Sequence, residues 1–223
     1  MQGRRELLIR AAASGLALAA GASPAGSTEK PAEINATEDL MREHGILRRL
    51  LLVYEEGVRR LHAGDAPPAE LFASPAALVR RFVEDYHERL EETELFPRLL
   101  GAGRELELVR ILKDQHAAGR KLTAVIAGAA TFAGLRDARR RGELVRAVEA
   151  FVRMYRPHAA REDTVLFPAF HALFNEAEFD RLGDRFEAQE HKLLGPNGFE
   201  AALGEVAGFE RALGIHDLSR FTP

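Results

Sequence analysis

The sequence of 223 residues contains no cysteine and no tryptophan, and neither sign of charge is in large excess. The missing cysteines exclude disulfide bonds, thiolate zinc sites, iron–sulfur clusters and cysteine nucleophiles, so any bound metal must be held by nitrogen and oxygen atoms. With 31 basic and 34 acidic residues, the formal net charge of −3 gives no electrostatic reason to expect a nucleic-acid partner. Eight histidines remain as the feature to explain.

The N-terminal segment lacks a hydrophobic run long enough to span a membrane. Its apolar stretch from Leu7 to Ala20 is about 14 residues long and includes Arg10, whereas a spanning helix needs roughly 20 residues. The pair Arg4–Arg5, this stretch and the small residues after it follow the three-part pattern of a signal peptide. Because the paired arginines resemble the twin-arginine type, we predict an exported, periplasmic protein that has no stable membrane anchor after cleavage.

The rest of the chain shows helical spacing of apolar residues, and no alternating strand pattern is visible. Four long helices with short connections predict an all-α fold, an antiparallel up-down four-helix bundle followed by two shorter helices. Helix starts are predicted at Thr37, as an N-cap, and at Ser74 before Pro75. The predicted divisions are a signal peptide over 1–22, a linker over 23–36, the bundle over 37–174 and a C-terminal helical extension over 175–223.

An internal repeat marks the candidate chemistry. Residues 87–97 and 158–168, about 70 residues apart, both read H-x3-E-[ED]-T-x-L-F-P. The leucine–phenylalanine–proline element is interpreted as packing and helix termination. Since proline removes a backbone donor, Pro97 and Pro168 predict a kink or a stop.

The first and third helices repeat as well. His44 and His116 each begin the pattern H-x3-R-[RK]-L, again about 70 residues apart. The chain is therefore interpreted as two copies of a helix pair, and each copy contributes one lone histidine and one H-x3-E motif.

The spacing of these motifs places their side chains on one helix face. Four residues advance an α-helix by about 400°, so His87 lies one turn from Glu91, and His158 lies one turn from Glu162. Buried carboxylates are costly unless they are paired or bound to metal. A dinuclear metal site, bridged by both glutamates, would remove that cost. The predicted metal ligands are His44, His87, Glu91, His116, His158 and Glu162.

Residues near these motifs have more than one interpretation. Arg48 and Arg120 would lie either near the site entrance or at the bundle end, in ion pairs with Glu92 and Asp163. A tyrosine within three residues of the first histidine of each H-x3-E motif is interpreted as packing, with a hydrogen-bonding or redox role as the alternative; these are Tyr86 and Tyr155. Four histidines have no repeat partner and are predicted to be surface or capping residues: His62, His171, His191 and His216.

The doubled motif resembles the hemerythrin-like, or HHE cation-binding, domain, a four-helix bundle around a non-haem di-iron centre. The resemblance covers about residues 37–174. It implies two Fe ions with an oxo or hydroxo bridge, held by the six predicted ligands; Mn and Zn suit the same nitrogen and oxygen atoms. The repeat favours Glu162 over Asp163 as the bridging carboxylate. Oxygen-carrying members have a further histidine in the third helix, and Arg120 stands at that position.

The ligand set implied by the resemblance leaves coordination positions open. We therefore expect an exported di-iron protein that binds or reacts with O2, NO or peroxide, with an electron donor that the sequence does not identify. The alternative is a non-catalytic iron or gas store, buffer or sensor. A ferritin-like centre would need two E-x-x-H motifs. It is rejected, because only Glu84 and His87 form one. A plain helical interaction domain is disfavoured by the repeat.

Overall fold

The computed structural model describes residues 34–222. Within this range nearly all residues are helical and no strand occurs, which confirms the all-α prediction. The predicted signal peptide over 1–22 lies outside the described residues, as does most of the predicted linker. None of the helices between residues 34 and 222 combines the length and the apolar character that crossing a bilayer requires.

Helix α1 spans Ala36–His62. The predicted N-cap at Thr37 is wrong by two residues, because Asn35 caps the helix. The Asn35 side chain accepts hydrogen bonds from the backbone N–H groups of Thr37 and Glu38, and Glu38 accepts one from the Asn35 N–H in return. This reciprocal capping box satisfies backbone donors that the first turn would otherwise leave free.

Helix α2 runs from residue 70 to residue 101, and it starts four residues before the predicted cap. Pro75 lies inside its first stretch. Two parts of α2 are wound as π-helix, whose turns are wider than those of an α-helix. Its successive stretches are Glu70–Leu78, Val79–His87 (π), Glu88–Leu90, Glu91–Leu95 (π) and Phe96–Gly101.

Helix α3 spans Leu106–Ala129, and the short helix Phe132–Arg136 leads into α4, which covers 138–171. In helix α4 one π-helical turn separates two α-helical stretches, and it corresponds to the second π-helical part of α2. These three parts are Ala138–Arg161, Glu162–Leu166 (π) and Phe167–His171.

Of the kink or stop predicted at Pro97 and Pro168, the stop does not occur. In both copies the wide turn comes immediately before the phenylalanine–proline pair, and the helix then continues. The Phe96 N–H donates to the Glu91 carbonyl and the Phe167 N–H to the Glu162 carbonyl. Each proline thereby stands in the first turn of a new α-helical stretch, where a missing N–H is tolerated.

Helices α5 (Glu176–Leu194) and α6 (Gly198–Leu213) follow the four long helices. Between them Gly195 adopts φ +86°, a left-handed conformation that glycine enters without steric cost. Both helices pack on α1 and also contact α2. They therefore cover one side of the molecule.

The four long helices form a helical bundle in which α1 and α3 each pack against both α2 and α4. Large apolar side chains fill the space between them and are fully buried, including Tyr54, Phe82, Phe151 and Phe170. Burying a side chain of this size stabilises the fold by roughly 1.5–3 kcal/mol. A rigid interior of this kind can hold polar groups at defined positions inside it.

The candidate metal centre

Six polar side chains meet in the interior of the bundle, and each is at most 3% exposed. The structure brings them together as two groups of three. Within each group, one nitrogen or oxygen atom of each side chain lies within 4.8 Å of those of the other two. All six residues predicted from the repeat take part. The first group is His44, His87 and Glu91, and the second is His116, His158 and Glu162.

The two glutamates lie between the groups. Glu91 places one carboxylate oxygen 3.7 Å from Nε2 of His87 and the other 3.5 Å from Nε2 of His116. Glu162 lies 3.3 Å from Nε2 of His44 and 3.1 Å from Nε2 of His158. Each carboxylate therefore faces histidines of both groups. Asp163 lies outside this inner set.

The second π-helical part of α2 and the π-helical turn of α4 start at these glutamates. The phenylalanine five residues after each glutamate packs flat against a histidine of the inner set. Phe96 stacks on His116 with ring centroids 5.5 Å apart, and Phe167 stacks on His44 at 5.4 Å. The repeated leucine–phenylalanine–proline element is thus packing, as interpreted, but it packs on the centre itself. π-helical turns are frequent at functional sites.

Every inner histidine makes an outward hydrogen bond through Nδ1. The acceptors lie at 2.6–3.0 Å, and they leave each Nε2 directed at the centre. Such partners fix the orientation and the tautomer of metal-binding histidines. The pairs are His44 with Asp163, His87 with Glu43, His116 with Glu92 and His158 with Gln115.

Sequence reasoning predicted none of these histidine partners: it named Asp163 and Glu92 only as possible partners of the arginines, and it did not name Glu43 and Gln115. Both immediately precede the lone histidines of the repeat, at matching positions, and this register was the available signal. Arg48 and Arg120 form ion pairs, which was one of the two interpretations given for them. Arg48 pairs with Asp163, and Arg120 Nη2 lies 2.7 Å from a Glu92 oxygen.

The protonation of the inner residues reflects their burial and their neighbours. Burial alone would lower the pKa of His44, but the carboxylates of Asp163 and Glu162 outweigh it and raise that pKa to about 9. Burial and the facing Glu162 carboxylate raise the pKa of Glu91 well above its usual value. Burial also disfavours the charged form of Glu162, yet His158 and His44 hold the pKa of that carboxyl well below its usual value.

A bound cation fits this arrangement. All four carboxylate oxygens of Glu91 and Glu162 are buried and accept no hydrogen bond. Within the groups, Nε2 of His44 lies 3.0 Å from Nε2 of His87, and the corresponding distance from His116 to His158 is 3.2 Å. A cation would offset the cost of burying the carboxylate charge and would accept the converging nitrogen lone pairs. Nitrogen and oxygen donors of this kind suit iron, manganese or zinc.

The two tyrosines near the motifs are buried hydrogen-bond donors. Tyr86 donates to Glu43 at 3.0 Å, and Tyr155 donates to Glu88 at 2.5 Å. A Cβ atom added at Gly119 would lie 2.0 Å from the Tyr155 hydroxyl, so the close approach of this tyrosine to α3 requires glycine there. Burial raises the pKa of Glu88 to about 8, which favours the neutral carboxyl beside the tyrosine.

The remaining four histidines lie outside the centre. His62 is exposed and its Nε2 lies 3.3 Å from a Glu149 oxygen, while His171 stacks on Phe179 at the surface. His191 is partly buried on α5 and His216 is exposed. The prediction that these residues are surface or capping histidines is confirmed for His62, His171 and His216.

Comparison with known proteins agrees with the geometry of the centre. The family model of the hemerythrin HHE cation-binding domain matches residues 35–170, and it matches 108–195 as a second range. Uncharacterized proteins of Mycobacterium bovis and of Mycobacterium tuberculosis (strain H37Rv) are each 43% identical over 232 residues, covering 99% of this chain and 91% of the relative. No solved structure shows significant similarity to it. The chain therefore belongs to the hemerythrin HHE cation-binding domain family.

Proposed function

We propose that this chain is an exported non-haem di-iron protein that binds or reacts with O2, NO or peroxide. The observation that carries the proposal is the pair of matched His–His–Glu groups whose two glutamates face both groups. Two cations held this way would share both carboxylates. The four imidazoles and two carboxylates fill only part of the coordination shells of two irons, which leaves room for a small ligand.

Each side chain has a distinct part in this proposal. His44 and His87 would hold one iron, His116 and His158 the other, and both glutamates would lie between them. Bound iron would supply redox chemistry and open positions for a diatomic or peroxide ligand. The chain itself orients the imidazoles through their Nδ1 hydrogen bonds. The stacked rings of Phe96 and Phe167 cover one face of His116 and of His44, respectively.

The packing of the helices supports the proposed architecture. Helices α1–α4 contact one another in a closed cycle, and short connections join them. Short connections favour antiparallel neighbours. We therefore include an antiparallel up-down four-helix bundle in the proposal, with α5 and α6 as the C-terminal extension.

Metal analysis of the purified chain tests the centre. We expect two irons per chain and optical bands that change on reduction and on exposure to O2, NO or peroxide. Glu91→Ala and Glu162→Ala should each lose iron, whereas the control His191→Ala, which changes a histidine of α5, should keep it. A stable chain that binds no metal would refute the proposal.

Turnover distinguishes the two functions that such a centre can serve. Catalytic consumption of peroxide or NO by the iron-loaded chain, with a chemical reductant supplied, would support a reactive centre. Two irons that bind NO or O2 reversibly without turnover would instead support the store, buffer or sensor. Neither function calls for a nucleic-acid partner.

The proposed export rests on the N-terminal sequence. If residues 1–22 act as a twin-arginine signal, the double substitution Arg4→Lys/Arg5→Lys should retain the protein in the cytoplasm. The control Arg10→Lys lies within the same segment and should be exported normally. Cell fractionation followed by immunoblotting measures both, and export of the double variant would contradict the proposal.

A further inference from the structure

Four residues accept the Nδ1 hydrogen bonds of the inner histidines, and we call them the outer acceptors. They occupy matching positions in the two copies of the internal repeat. Asp163 and Glu92 each come directly after an inner glutamate, and each accepts from the lone histidine of the other copy. Both of these acceptors also pair with an arginine. This first pair of acceptors is therefore matched in charge across the two groups.

The second pair of acceptors differs in charge. Glu43 accepts from Nδ1 of His87 at 2.7 Å, and at the equivalent position Gln115 accepts from Nδ1 of His158 at 2.9 Å. A carboxylate that accepts this hydrogen bond raises the basicity of the imidazole as a metal ligand. A neutral amide oxygen does so more weakly, because it carries no full charge. His87 is therefore the stronger donor of the two.

The surroundings of these two residues differ in the same sense. Glu43 is 2% exposed, and one of its oxygens lies within 4.8 Å of a carboxylate oxygen of Asp39 and of one of the buried Glu190 on α5. The C-terminal helices thus enclose this side and add negative charge to it. Gln115 is half-buried and lines a surface groove of about 520 Å³ together with Arg153 and other residues of α4.

We infer that the two metal positions are unequal: the His44–His87 position fills first and holds its ion more tightly, and the His116–His158 position is labile. The inference rests on the proposed function, since it requires two bound ions. On the tight side, two carboxylates accept the Nδ1 hydrogen bonds of the histidines, and helix α5 covers this side. On the labile side, one carboxylate and one amide accept these hydrogen bonds. The amide is that of Gln115, which lines the groove and bonds directly to His158.

Metal release from the full chain tests the inference. The protein is loaded anaerobically with Fe2+ and challenged with excess ferrozine, and the release of each equivalent is followed optically. We expect two phases of one iron each, with rates at least about tenfold apart. Anomalous diffraction from crystals that have lost one equivalent should place the remaining iron between His44 and His87.

A matched pair of substitutions assigns the difference to the outer acceptors. Removing such a partner changes metal affinity by about 10–100-fold. Gln115→Glu should slow the fast phase by a factor in this range, and Glu43→Gln should accelerate the slow phase until the two phases merge. Glu43→Asp should restore the slow phase, which loss of packing alone would not explain. If Glu43→Gln fails to fold, Gln115→Glu still decides the question.

The outcomes separate this inference from the proposed function. Two irons released in a single phase by the parent chain would overturn the inequality and leave the di-iron centre intact. Two phases that neither substitution changes, or a residual iron between His116 and His158, would also overturn it. A chain that binds no iron would overturn both.

Discussion

Replacing Glu91 with glutamine should stabilise the metal-free protein while it abolishes metal binding. Glu91 is fully buried, its oxygens accept no hydrogen bond, and the Glu162 carboxylate faces it. In the metal-free state the side chain must therefore keep a proton at neutral pH or bury an unpaired charge. Glutamine has the same shape and no charge, so it avoids this cost. A residue placed there only for stability would behave in the opposite way.

The magnitude follows from the raised pKa of Glu91. The unfolded carboxyl ionises near pH 4.5, whereas the folded one ionises at a higher pH. The folded state therefore binds the additional proton, and stability falls as the pH rises above 4.5. At 1.36 kcal/mol per pH unit, the cost at pH 7 reaches about 3 kcal/mol at most. Metal-free Glu91→Gln should be more stable than the parent by up to this amount at pH 7, and the difference should vanish below pH 4.5.

Urea unfolding of the two metal-free proteins at pH 4 and pH 7 measures this difference. Glu162→Gln provides the contrast. His158 and His44 stabilise the charged form of Glu162, so the loss of these interactions in the variant should destabilise the metal-free chain. Glu84→Gln is the control for iron binding, because this buried carboxylate of α2 pairs with Arg80 outside the two groups. Metal-free Glu91→Gln that is less stable than the parent at pH 7, or that retains two irons, would refute the reasoning.

Three further predictions concern neighbouring features. Gly119→Ala places a Cβ atom 2.0 Å from the Tyr155 hydroxyl, so urea unfolding should show a loss of about 1–3 kcal/mol; a variant as stable as the parent would contradict this contact. Because a metal must displace the proton that His44 holds with a pKa of about 9, Zn2+ affinity should rise with pH from 6.5 to 8.5, by up to about tenfold per pH unit. Competition with a chelator measures this affinity, and an affinity that does not change with pH would contradict the role of His44 as a metal ligand. Asn35→Ala removes the α1 cap and should cost about 1 kcal/mol in thermal unfolding, whereas an unchanged melting temperature would show that the capping box is not needed.

The helical class and the membership of the inner cluster were predictable from the sequence because both depend on local periodicity. His87 and Glu91 share a face in any α-helix, whatever packs against it. The two-fold repeat then paired this face with its copy in α4 and singled out His44 and His116. The bystander histidines were separable for the same reason, since they have no counterpart in the repeat.

Helix boundaries were less predictable, and the reasons are specific. Asn35 and Thr37 are both good N-caps, and the partner Glu38 decides in favour of Asn35. From the local sequence, Pro97 and Pro168 predict a kink or a stop. A π-helical turn precedes each proline and lets the helix continue, and the phenylalanine before each proline stacks on a histidine of another helix.

The sequence by itself determined which side chains form the inner cluster and on which face of each helix they lie, because those properties follow from the internal repeat and from 3.6 residues per helical turn. Only the tertiary structure decided which residues accept the outward hydrogen bonds of the inner histidines. The hydrogen bonds from His87 to Glu43 and from His158 to Gln115 join separate helices. Which residues meet across two helices depends on their axial offset and crossing, and periodicity within one helix does not contain that information. The difference in charge between the two halves of the centre therefore became visible only once the helices were packed.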